Sequence, residues 1–128
     1  PSELAQAKKS TQDAMKNCLA RGRSALTCIE IVEGDIEIAI LNCGSRQKSK
    51  TNLAIVSSII DNAYTEIYVA RKNALANARS AARRSGASSV RAKQLSVKAL
   101  YGVLAKAETL KTKICNDESF QQLVNDSY

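Results

Sequence analysis

Apolar residues along the chain recur mostly at helical spacing, in segments punctuated by glycine. From Ser2, a good N-cap residue, to about Ala20, the positions Leu4, Ala7, Ala14, Met15, Cys18 and Leu19 predict a first, weakly amphipathic helix. Between Thr51 and Ser85 the pattern is strongest. Val56, Ile59, Ile60, Ala63, Tyr64, Ile67, Tyr68, Leu75, Ala78, Ala81 and Ala82 mark one face of a single long helix, with Asn73 and Asn77 as its candidate break points. Such a helix would be roughly 50 Å long. Ser85-Gly86-Ala87-Ser88-Ser89 reads as a turn with a capping serine. Beyond it Val97, Leu100, Tyr101, Leu104, Ala107 and Ile114 carry a second long helix to Cys115, and the two should pair antiparallel. Asn116 or Asp117 then caps a short terminal helix bearing Phe120, Leu123 and Val124, with Asp117 and Glu118 near its positive end.

The segment from Ala25 to Asn42 supports two readings. Ile29-Glu30-Ile31 and Ile36-Glu37-Ile38-Ala39-Ile40 alternate like strands around a Gly34-Asp35 turn. Read as helices, Cys28, Ile29 and Val32 form one face and Ile36, Ala39, Ile40 and Cys43 another, with Gly34 and Gly44 as C-terminal caps. Two short helices are the favoured expectation, because an isolated hairpin is marginal and no third strand is evident. The resulting fold class is all-α. It is an irregular bundle of about five or six helices in a single domain over residues 1–128, a length that suits one core.

Composition narrows the class further. Hydrophobic residues make up 45% of the chain but aromatics only 4%, so the core must be built from Ile, Leu, Val and Ala. The richest apolar stretch, Ile36 to Leu41, is far too short for a membrane-spanning helix, which needs about 18 residues or more. Cys18, Cys28, Cys43 and Cys115 form an even set with 9, 14 and 71 residues between them. No pair has zinc-knuckle or redox C-x-x-C spacing, and with no His a mixed Cys/His metal site is impossible. Two disulfides in a secreted protein fit this pattern better than four buried thiols. Three pairings are open. Bonds that join different helices are preferred, with Cys115 closing a long loop onto the N-terminal third. A start at Pro1 is what a chain matured from a secretory precursor, or a trimmed one, would present. Asn125-Asp126-Ser127 is an N-glycosylation acceptor triplet, which agrees with secretion.

Charge is unevenly distributed around the net +7. From Arg71 to Lys113 there are eleven basic residues against Glu108 alone, whereas Glu30, Glu33, Asp35 and Glu37 are unopposed between Cys28 and Asn42. Arg79, Arg83 and Arg84 near the end of one long helix, with Arg91, Lys93 and Lys98 across the turn, form a candidate anion-binding face. Its partners would be a host protein, a sulfated glycan or an anionic membrane surface. The competing reading is a solvated face that serves solubility and the helix C-terminus. No zinc ligands, stacking aromatics or recognition-helix signature point to sequence-specific nucleic-acid binding.

Chemistry is sparse. Without His or a Gly-rich phosphate loop, the usual routes to a general base, an activated nucleophile or a nucleotide cofactor are missing. No enzyme activity, metal or cofactor is expected. Only a carboxylate pair among Glu30, Glu33, Asp35 and Glu37 could do acid/base work, and Tyr64 and Tyr68 read as core residues with hydroxyls on polar partners. A disulfide-braced shell lined with Ile, Leu and Val could alternatively carry a small apolar ligand between the long helices.

The basic character, the run Cys18, Cys28 and Cys43 with a distant Cys115, and the Ala/Ser/Arg-rich stretch from Ala74 to Ala87 together resemble the small basic salivary proteins of blood-feeding flies. The resemblance is one of whole-chain character and assigns no functional residue. It implies a secreted all-helical effector acting on host inflammation or haemostasis by binding rather than by catalysis.

Overall fold

In the computed structural model, which describes residues 3–44 and 50–125, five helices account for nearly all of those residues. They are α1 (Glu3–Ala20), α2 (Ala25–Cys43), α3 (Lys50–Arg84), α4 (Ser89–Cys115) and α5 (Glu118–Asn125). No strand occurs among the described residues.

Local chemistry sets the helix ends. Ser24 and Ser88 are extended N-caps whose hydroxyls accept from the backbone N–H groups of Thr27 and Arg91. Asp117 does the same for α5, its Oδ1 accepting from the Phe120 N–H at 2.8 Å. After α3 the chain reverses at Gly86, whose φ of 63° is left-handed, and the Ala87 N–H reaches back to the Ala82 carbonyl. With a four-residue turn and the most extensive contact of any helix pair, α3 and α4 form an antiparallel hairpin. Neither Asn73 nor Asn77 interrupts α3; both are exposed and cost the helix little.

One expectation needs correction at α2. It is a single helix of 19 residues, and Gly34 lies inside it rather than capping a first short helix. The strand-like alternation has a helical explanation. Ile29, Val32, Ile36 and Ile40 are buried, while Ile31 and Ile38, two residues away and therefore across the helix, point outward. Burial of the inner row outweighs the cost of about 1 kcal/mol for a mid-helix glycine.

The core is continuous across all five helices. Met15 and Cys18 from α1, the inner row of α2, Val56, Ile60, Ala63 and Ile67 from α3, Leu100, Leu104 and Ala107 from α4, and Phe120 and Val124 from α5 form one buried cluster. After Leu75 the buried positions of α3 are alanines, Ala78 and Ala82, which lets its second half lie close to α4. Both disulfides join different helices. Cys18–Cys28 staples α1 to α2, and Cys43–Cys115 ties the end of α2 to the end of α4, with Cα separations of 5.7 and 5.8 Å.

Candidate functional site: the basic helical hairpin

The α3–α4 turn gathers the candidate anion-binding residues at one end of the hairpin. Arg79 and Arg83 are one turn apart on α3 and, with Ala82, Gly86, Ala87, Ser89 and Ala92, line an open depression of about 690 Å³. Arg84 ends α3, and Arg91, Lys93 and Lys98 follow on the first turns of α4. All six side chains are exposed, and none makes an ion pair with another described residue. Arg91 makes only a long contact, 3.5 Å, to the Gln94 amide. The structure therefore brings all six to the same end of one hairpin, with Lys98 farthest from the turn.

A second depression, of about 420 Å³, opens between the middle of α3 and the second half of α4. Ile67, Ala70, Val103, Ala107 and Leu110 supply its apolar wall, and Lys8, Lys106 and Lys113 line it beside Glu66. An amphiphile with an anionic head fits that division better than a purely apolar ligand.

The acidic residues of α2 do not form a reactive pair in an open cleft. Glu33 is buried, and its Oε1 lies 3.1 Å from Arg71 Nη1 of α3, while exposed Glu30 stands 4.0 Å from the same nitrogen. Burial pushes the Glu33 carboxyl from its ordinary 4.5 up to about 7, against the pull of Arg71 and helped by Glu37 and Glu30. Asp35 is exposed and Glu37 half-buried. Perturbed carboxyls often mark functional sites, but Glu33 is packed beneath Arg71 with almost no surface of its own.

The two tyrosines part company. Tyr64 is half-buried and donates to the Glu37 carbonyl at 2.9 Å, and burial together with Glu37 and Asp61 raises its pKa. Tyr68, expected in the core, is 55% exposed, and Arg71 lies over its ring at 5.4 Å from the centroid. A step of four residues advances 40° around a helix, so the row that starts inward at Tyr64 has turned outward at Tyr68.

Sequence reasoning missed the buried polar pair that joins α1 to α4. Thr11 Oγ1 donates to Glu108 Oε1, and Glu108 Oε2 is held 2.7 Å from Lys111 Nζ. The signal was in the spacing, since Glu108 follows Leu100 and Leu104 at intervals of four on the buried face. Asn52 was also missed; it is buried and donates to the Leu123 carbonyl, fastening α5 to α3. Asn125 is exposed at the end of α5, whereas the rest of its acceptor triplet, Asp126 and Ser127, lies outside the described residues.

Fold and surface define a disulfide-braced helical protein, with five helices among the described residues and a basic hairpin end; none of those helices is long and apolar enough to cross a membrane. No protein-family model, curated protein or solved structure matches the chain.

Proposed function

We propose that this is a secreted, non-enzymatic effector whose basic hairpin end binds a sulfated glycan or a comparably anionic host surface. The observation that carries the reading is the gathering of Arg79, Arg83, Arg84, Arg91, Lys93 and Lys98 around one turn, all exposed and without internal counter-ions among the described residues. Cations already neutralised by neighbouring carboxylates would have little left to offer a polyanion. Arginine forks suit sulfate and phosphate oxygens geometrically. The use of all four cysteines in two disulfides supports an extracellular setting. An effect on host inflammation or haemostasis rests on the resemblance to the salivary proteins alone.

Elution from immobilised heparin across a salt series tests the reading, beside the variant Arg79→Gln/Arg83→Gln/Arg84→Gln/Arg91→Gln. Retention at about 0.15 M salt that falls steeply at higher ionic strength and is lost in the variant is the expected result. Passage of the native protein through the column at that salt would sink it.

The depression between α3 and α4 favours a second reading, an extracellular carrier for a small apolar or amphiphilic ligand. The two separate cleanly on salt, because burial of an apolar chain barely responds to ionic strength. Mass spectrometry of an organic extract of the purified protein would detect a carried ligand directly.

A further inference from the structure

We propose that copies of this chain associate head to tail, the outer face of α2 of one copy docking on the first half of α4 of the next. Helix α2 is apolar on two faces, and the bundle covers only one. Ile31, Ile38 and Leu41 remain 42%, 55% and 52% exposed. With Gly34 they fall at positions 31, 34, 38 and 41, the alternating three-and-four spacing of a seam between two helices. A helix apolar on both sides is ordinarily covered on both.

The flanks of that row specify what covers it. Glu30, Asp35 and Glu37 occupy three of the four positions bordering the seam, the fourth being Asn42. The partner helix should therefore present an apolar row of similar length with basic borders, and this chain contains one. On α4, Val90, Gln94, Val97 and Tyr101 follow the same repeat in its other phase, four-three-four, apolar except at Gln94, and Arg91, Lys93 and Lys98 occupy three of the four bordering positions. Val90 is 68% exposed, and the row lines a shallow, almost wholly apolar depression of about 450 Å³ formed by α4 residues alone. The rows span eleven and twelve residues from first to last, about 15–17 Å each.

The α4 row is also visibly unfinished. It continues at the same alternation through fully buried Leu104 to Glu108, where Thr11 of α1 is bonded to it, whereas at its start Val90 and Gln94 are exposed and Val97 and Tyr101 only half-buried. An α2 helix from another copy would cover that start. Gly34 gains a reason as well: nothing lies within 4 Å of where its Cβ would be, so the isolated fold has no need of glycine there, whereas a close-packed helix seam does. Because the surfaces differ, the contact is heterologous, and each copy offers one of each. The docking surface shares Arg91, Lys93 and Lys98 with the candidate polyanion face, so a bound polyanion would compete with the next copy for them.

Sedimentation velocity of the 13.8 kDa chain from about 10 to 500 μM, the range in which small interfaces assemble, tests the proposal. The native protein should exceed monomer mass as concentration rises, passing beyond dimer at low salt and retreating as salt increases. The variants Ile31→Ser/Ile38→Ser, which keep only the α4 surface, and Lys93→Glu/Lys98→Glu, which keep only the α2 surface, should each remain monomeric. Mixed in equal amounts they should form dimers and stop there, because each pair has one good surface of each kind. Gly34→Leu, which has room in the monomer, should fold normally and fail to associate. A native protein that stays monomeric throughout, either double variant associating alone, or a mixture that stays monomeric while both variants show native circular dichroism would overturn the proposal.

Discussion

Arg71 on α3 lies 3.1 Å from Glu33 on α2, yet burial outweighs its charge and the carboxyl holds its proton up to about pH 7. The unfolded chain releases that proton near 4.5, so between those values the folded state binds more protons and loses stability as pH rises. The contribution is complete below about pH 4.5 and gone above about 7, a change of about 3 kcal/mol. With no His in the chain, no imidazole titrates in that window. Urea unfolding at pH 5 and pH 8 should show the native protein more stable at pH 5, and Glu33→Gln should show nearly equal stability at both.

The Thr11–Glu108 bond makes a prediction about non-additivity. Glu108 is 4% exposed, and removing the Thr11 hydroxyl leaves one of its oxygens buried without a donor. Thr11→Val should cost about 2 kcal/mol. Adding Glu108→Leu removes the stranded charge and frees Lys111 to solvent, so the double variant should be more stable than Thr11→Val alone. Double-variant destabilisation equal to the sum of the two single changes would show that the residues do not act as a pair.

These polar anchors also show what the sequence makes legible and what it hides. The all-α class, both long helices, their turn and the terminal helix are readable because Ser88, Gly86 and Asp117 are strong local signals and the apolar rows are long. Helix α2 misleads because its alternation mixes two faces of one helix, and only packing shows that Gly34 does not end it. Glu33 and Glu108 are invisible to any rule that places charges outside, although their spacing sets both on the buried face. The gathering of the basic residues at one end follows from reading Ser85 to Ser89 as a turn. Their lack of counter-ions does not, since it depends on which acids the fold brings near.

Two glycines should respond oppositely to alanine. At Gly44 an added Cβ would stand 2.8 Å from Ile60 Cδ1 and 3.1 Å from Val56 Cγ1, inside the contact between α2, α3 and α5. Gly44→Ala should cost about 1–2 kcal/mol as those side chains shift. At Gly34 the space is open and the backbone is helical, so Gly34→Ala should add up to about 1 kcal/mol. Thermal melts of dilute protein, below any association, would register the two changes with opposite sign.

The disulfides differ in the loops they close and in what lies near them. Cys43–Cys115 spans 72 residues and Cys18–Cys28 only 10, so the chain-entropy model assigns them about 4 and about 3 kcal/mol. Cys43→Ser/Cys115→Ser should therefore be the more destabilising pair in denaturant. Both bonds sit away from the α3–α4 turn: Cys115 ends α4, whereas Arg91 and Lys93 lie in its first turns, and no cysteine of either bond belongs to α3. Below its melting temperature, a protein lacking either disulfide should elute from heparin at the same salt as the native protein. Early elution of a still-folded variant would mean that the cross-links, and not the hairpin alone, hold the basic end in its binding geometry.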